Sequence, residues 1–141
     1  MKAALLQLTS SDDPLVNLTL TLDLIDQAVG QGASLVLTPE VTNCVSQNRS
    51  HQLAVLQHEA DDASLAAFRT IALAHQIWLS IGSLALKTDE PDGRFANRSF
   101  LIGPDGQIAA RYDKIHMFDV CLLYTSPSPR DQRGYRMPSF A

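Results

Sequence analysis

The sequence predicts an α/β layered fold. Three observations carry that expectation. Short apolar runs of strand length alternate with segments whose apolar residues recur at helical spacing. The first helical segment carries its own start and stop signals. A Gly-Pro-Asp-Gly turn separates the last two strand-like runs, which is how a hairpin rather than a crossover reads.

In chain order, Lys2 to Thr9 is an apolar run that suits a buried strand. Asp13 can cap a helix with Pro14 at its first position, where the missing N–H has no intrahelical partner to lose. Leu18, Leu22, Ile25 and Val29 form its apolar stripe, widened by Leu24 and Ala28, and Gly30 with Gly32 ends it. Ala33 to Leu37 is a second strand running into Thr38-Pro39-Glu40. A second helix is expected from Asp62 to His75, with Leu65, Phe68, Ile71 and Ala72 facing inward. Ile77 to Leu84 is a third strand, and Asp89 to Gly93 a loop. Asn97 to Ile102 and Gln107 to Tyr112 are strands joined by the Gly103-Pro104-Asp105-Gly106 turn. The order points to a sheet whose first strands are central.

Composition narrows the function. Residues 1–120 hold eight basic against fourteen acidic side chains, a net −6, and the whole chain stands at −4. An acidic body without a basic stripe argues against nucleic acid as a partner. No apolar run reaches membrane-spanning length, and the opening Met1-Lys2-Ala3-Ala4-Leu5-Leu6 is too short and strand-like for a signal peptide, so a cytoplasmic protein is expected. Cys44 is the lone cysteine of residues 1–120, which leaves no internal disulfide there. The Asn17, Asn48 and Asn97 glycosylation patterns are read as coincidental.

From Cys121 the character changes. Residues 121–141 lack apolar periodicity and hold three of the seven prolines among Ser and Arg. The stretch back-translates to a string resembling the transposase adapter of short-read sequencing libraries. A translated scar is therefore expected for 121–141, with the native domain occupying 1–120.

Two charged residues follow strand ends, where α/β enzymes place their chemistry: Glu40 and Lys114. Taken singly, each reads first as an ordinary surface charge. Three ordered blocks alter that reading. They are Ala3-Ala4-Leu5-Leu6-Gln7-Leu8, Gly32 through Glu40, and Tyr112-Asp113-Lys114-Ile115-His116-Met117-Phe118-Asp119-Val120, with Gly82-Ser83 and Asn97-Arg98-Ser99-Phe100 between them. Together they resemble the N-terminal half of a nitrilase-superfamily carbon–nitrogen hydrolase, in the small-amidase branch that includes omega-amidase-like and deaminated-glutathione-amidase-like enzymes.

The resemblance implies an α-β-β-α sandwich, here incomplete, and a Cys-Glu-Lys catalytic set acting on a small carboxamide. Glu40 matches the general base and Lys114 the lysine. No residue matches the nucleophilic cysteine, so the chain is expected to be inactive alone. Cys121 follows Lys114 too soon, and Cys44 reads as a structural thiol. A thiol needs a base to become a thiolate, and a developing oxyanion needs a cation, which is why such a set recurs. A neighbouring ammonium lowers a carboxylate's pKa while burial raises it.

No metal or organic cofactor is implied. The expected partner is a small-molecule amide, with neither nucleic acid nor membrane, and a parent that forms homo-oligomers. His116 is assigned packing, Arg111 and Asp113 a flanking role, and His51, His58 and His75 lack metal-ligand spacing. Two other readings remain: a non-catalytic binding or assembly module of the same fold, and an N-acyltransferase relative with the same triad.

Overall fold

The computed structural model describes residues 1–115, so His116 and the 121–141 tail lie outside the described residues. The elements are β1 (Ala3–Leu5), α1 (Pro14–Gly30), β2 (Leu35–Leu37), α2 (Arg49–Val55), a 3-10 turn (Glu59–Asp61), α3 (Ala63–His75), β3 (Trp78–Lys87), β4 (Phe95–Ile102) and β5 (Ile108–Asp113). They build one five-stranded mixed sheet in the order β1-β2-β3-β4-β5. The first three strands are parallel and the last two antiparallel to their neighbours. Parallel neighbours need crossovers, which α1 and the α2–α3 segment supply.

The Asp13 capping signal behaves as expected. Asp13 Oδ1 accepts the amides of Leu15 and Val16 at the start of α1, and Asp62 Oδ1 accepts that of Leu65 at the start of α3. Gln76, at φ 52°, closes α3 in the left-handed conformation. The predicted turn is present, with Gly106 at φ 71° and its amide on the Gly103 carbonyl. A Cβ on Gly106 would meet the Arg69 carbonyl oxygen at 2.8 Å, so the hairpin tip can lie against α3 only without a side chain there.

The core lies between one sheet face and the two long helices. Ile25 and Ala28 from α1 and Leu65, Phe68 and Ala72 from α3 meet Val36, Leu79, Ile81, Phe100 and Ile102 of the sheet. Here the predicted inward residues of α3 are found buried, with Ile71 packed at the margin. On α1 the line of deepest burial is shifted: it runs Asn17, Thr21, Ile25, Ala28, while Leu18, Leu22 and Val29 are partly covered. Two polar residues occupy that line because each is satisfied locally. Thr21 Oγ1 donates to the Asn17 carbonyl at 2.7 Å. The Asn17 amide joins Ser11 to the Asn43 carbonyl.

One expectation needs correction. β1 forms an edge of the described sheet rather than its centre. The alternation of strands and helices suggested a central strand, yet Leu5 is 80% exposed on the face opposite the helices. The segment between Asn43 and Asp62, left unassigned above, holds α2 and the 3-10 turn. Here α2 buries none of its own residues, so no apolar period marks it. It is held by the Asn48 cap, by Leu56 just beyond its end, and by the Arg49 guanidinium 3.9 Å from the Phe95 ring centroid.

The opposite sheet face carries no helix among the described residues. Leu35, Leu37, Ser80 and Leu101 lie half-covered along it, while Ala110 and Tyr112 are exposed. No helix among the described residues is long and apolar enough to cross a membrane.

Candidate active site

Glu40 sits in the turn leaving β2, and the local chain holds that turn tightly. Thr38 donates its amide to the Ser80 carbonyl at 3.0 Å, and Thr42 to the Ser83 carbonyl at 2.9 Å. The Thr38 and Thr42 hydroxyls meet at 2.8 Å. Val41 has φ 50°, unusual for a β-branched residue, and its amide is fixed on Ser83 Oγ at 2.8 Å. Asn43 continues the clamp by exchanging two side-chain hydrogen bonds with the Ala85 backbone.

Gly82 makes this docking possible. A Cβ there would lie 2.5 Å from Pro39 C, Pro39 O and Thr38 O, all backbone. The β3–β4 register shifts between Ile81 and Leu84, at the same place. Such a bulge re-aims side chains where two segments must approach closely. Gly82 and Ser83 thus set the height of the Glu40 turn above the sheet.

Lys114 arrives from the other side. It immediately follows β5, and its amide donates to the Asn97 carbonyl at 2.9 Å. Its Nζ donates to Glu40 Oε1 at 2.5 Å, and Asn97 Nδ2 donates to the same oxygen at 2.9 Å. The Glu40 side chain is 55% exposed and that of Lys114 35%. The Lys114 hydrogen bond holds the Glu40 carboxyl below its ordinary range, outweighing the opposing effect of burial. These groups line a cleft of about 310 Å³ with Gly82, Ser83, Ser99 and Tyr112. A shallower depression of about 200 Å³ follows the same sheet face from Ser80 to Tyr112.

The flanking residues face the other way. Arg98 binds Asp113 through two hydrogen bonds of 2.5 and 2.7 Å, and also binds Glu59. Arg111 reaches Glu59 at 3.0 Å. This network ties the end of β5 to the 3-10 turn and holds the Asp113 carboxyl below its usual range through Arg98.

Cys44 is outside the cleft. It is buried against Leu56 and Phe95, its Sγ donates to the Asp12 carbonyl at 3.4 Å, and burial pushes its thiol pKa up. His51, His58 and His75 each lie beside an aspartate, Asp12, Asp89 and Asp26 respectively. The sequence reading missed Asn97 as a direct partner of Glu40. Its place within the Asn97-Arg98-Ser99-Phe100 block was the available signal.

The described residues thus form an α/β layered unit that presents a carboxylate–ammonium pair beside the strand ends. The carbon-nitrogen hydrolase family model matches residues 2–138. The chain belongs to the carbon-nitrogen hydrolase family. It is 34% identical over 117 residues to a deaminated glutathione amidase of Yersinia enterocolitica, covering 83% of this chain and 40% of that protein. It superposes on the NitFhit protein of C. elegans with a TM-score of 0.73 at 28% identity, over 85% of this chain and 29% of that one. A Glu-to-Gln mutant of the amidase from Nesterenkonia sp. AN1, showing Michael addition of acrylamide at its active-site cysteine, gives 0.68 at 30% identity, over 84% and 46%. The chain thus spans less than half the length of these relatives.

Proposed function

We propose that this chain supplies the glutamate and lysine of an amidase that hydrolyses a small carboxamide through a cysteine thioester. The observation that carries the reading is the 2.5 Å contact between Lys114 Nζ and Glu40 Oε1 at the floor of one cleft. Glu40 takes the proton from a cysteine thiol brought to this cleft, and the sulfur attacks the amide carbonyl carbon. The Lys114 ammonium stabilises the negative charge that develops on oxygen. The C–N bond then breaks, and the leaving ammonia or amine takes the proton from Glu40. A water deprotonated by Glu40 attacks the thioester, releasing the carboxylic acid and the thiol.

Neither the position of Cys44 nor its raised pKa suits the nucleophile. The 141-residue protein is therefore expected to release no ammonia from small aliphatic carboxamides. A longer protein that brings a cysteine to the cleft is expected to do so, and to lose on the order of 10²–10⁴-fold in kcat/KM on Glu40→Gln. Ammonia release by the 141-residue protein that Glu40→Gln abolishes would overturn the reading.

A second reading, an assembly module, is favoured by the apolar face around Leu5, Leu35 and Leu101, which carries no helix among the described residues. It calls for a concentration-dependent increase in size by light scattering, and Leu5→Ser distinguishes it if that increase disappears.

A further inference from the structure

We infer that Asn97 is a positioning residue for Glu40: together with Lys114 it occupies Oε1 and so leaves Oε2 as the proton-exchanging oxygen. This rests on the amidase reading and refines it to a single atom. Both hydrogen bonds that the described residues make to the Glu40 carboxylate end on Oε1, from Lys114 Nζ at 2.5 Å and Asn97 Nδ2 at 2.9 Å. An oxygen accepting two donors, one of them cationic, is the weaker base of its pair. The proton therefore goes to and from Oε2, on the residue that lines the cleft.

The other end of the Asn97 amide supports a dedicated role. Its Oδ1 is buried and has no hydrogen-bond partner among the described residues. Buried polar atoms are nearly always paired, and an unpaired one marks a site where another demand sets the side chain's orientation. Turning the amide over would aim Oδ1 at the carboxylate, placing two acceptors face to face. Glu40 is thus what fixes the amide. The Asn97 carbonyl meanwhile accepts the Lys114 amide at 2.9 Å, so one residue holds the backbone of the lysine and the side chain of the glutamate.

The test is a carboxyl-detected NMR titration of the 141-residue chain, comparing wild type with Asn97→Ala. The Glu40 midpoint is expected to rise by roughly half a pH unit, the scale of one hydrogen bond to a half-exposed carboxylate. The Glu40 γ-methylene protons should lose their shift inequivalence as the side chain gains rotamers. Asp113, clamped by Arg98, serves as the internal control and should not move. An unchanged Glu40 midpoint with Asp113 also unchanged would refute the role. Should Asn97→Ala fail to fold, Asn97→Ser is measured instead: a hydroxyl is too short to reach Oε1, and the same two outcomes decide.

The amidase reading fails separately. If Glu40→Gln leaves amide hydrolysis by a longer, active protein intact, catalysis by Glu40 is lost while the Asn97 titration result still stands.

Discussion

The two faces of the sheet are built on different terms. The helix-covered face is largely apolar, and its deepest apolar residues come from α1, α3 and every strand from β2 to β4. The other face carries half-covered leucines, exposed tyrosine and a polar cleft whose charged pair is partly in solvent. Among the described residues the buried core lies on the first face, and the Glu40–Lys114 pair lies on the second. Core and cleft are separated by the thickness of one sheet. The backbone contacts at Gly82 and Ser83 are where the two meet.

That separation can be broken most sharply at Phe68, which is fully buried beneath the sheet. Phe68→Ala is expected to cost about 3–5 kcal/mol in urea unfolding. Leu5→Ser, on the opposite face, is expected to change stability by less than about 0.5 kcal/mol. Comparable losses at the two positions would show that both faces are packed.

Gly82→Ala probes the meeting point. The added methyl has backbone atoms 2.5 Å away and no flexible neighbour to displace, so about 1–3 kcal/mol is expected. The Glu40–Lys114 contact should be lost with it, which would show as an upward move of the Glu40 titration midpoint. A stability loss without that move would mean the turn and the pair are independent.

Removing the α3 cap with Asp62→Ala should cost about 1 kcal/mol at neutral pH. Burial raises the Asp62 pKa despite the Leu65 hydrogen bond. Its protonation therefore favours the fold, and its contribution declines as pH rises through the interval above its ordinary value. Relief from burying that charge offsets part of the lost cap at neutral pH.

The smallest effect belongs to the site itself. Glu40 has its pKa lowered by the Lys114 hydrogen bond, so its stabilisation is present above the ordinary carboxylate range and is lost as pH falls through the lowered value. For so exposed a pair the contribution is less than about 1 kcal/mol. Glu40→Gln should therefore leave neutral stability nearly unchanged while flattening part of the acid limb of the stability–pH curve.

Much of this was legible in the sequence because the signals are local. The Asp13 cap, the Gly103–Gly106 turn and the inward set Leu65, Phe68 and Ala72 each depend on neighbours within a helical turn or two. Glu40 and Lys114 were picked out by their places after strands, and the fold brings them together. What escaped depends on distant partners. Asn17 and Thr21 displace leucines from the deepest line of α1 because their hydrogen bonds are met by Ser11, Asn43 and the helix backbone. The α2 helix has no apolar face to show, and the role of Asn97 requires β4 to lie beside the β2 turn.

The order of pairing in the sheet has a consequence for how the molecule assembles in time. The β4–β5 hairpin closes through a turn of a few residues, whereas β1 and β2 must each wait for a partner beyond an intervening helix. Local hairpins form within microseconds, while contacts across long loops lower the folding rate. Lys114 travels with the early hairpin and Glu40 with the late-docking β2. Their contact is thus expected to report the final step of folding. In pulse-labelled hydrogen exchange, the amides of Leu101 and Ala110 should gain protection before those of Leu6 and Thr38, and the reverse order would contradict this sequence of events.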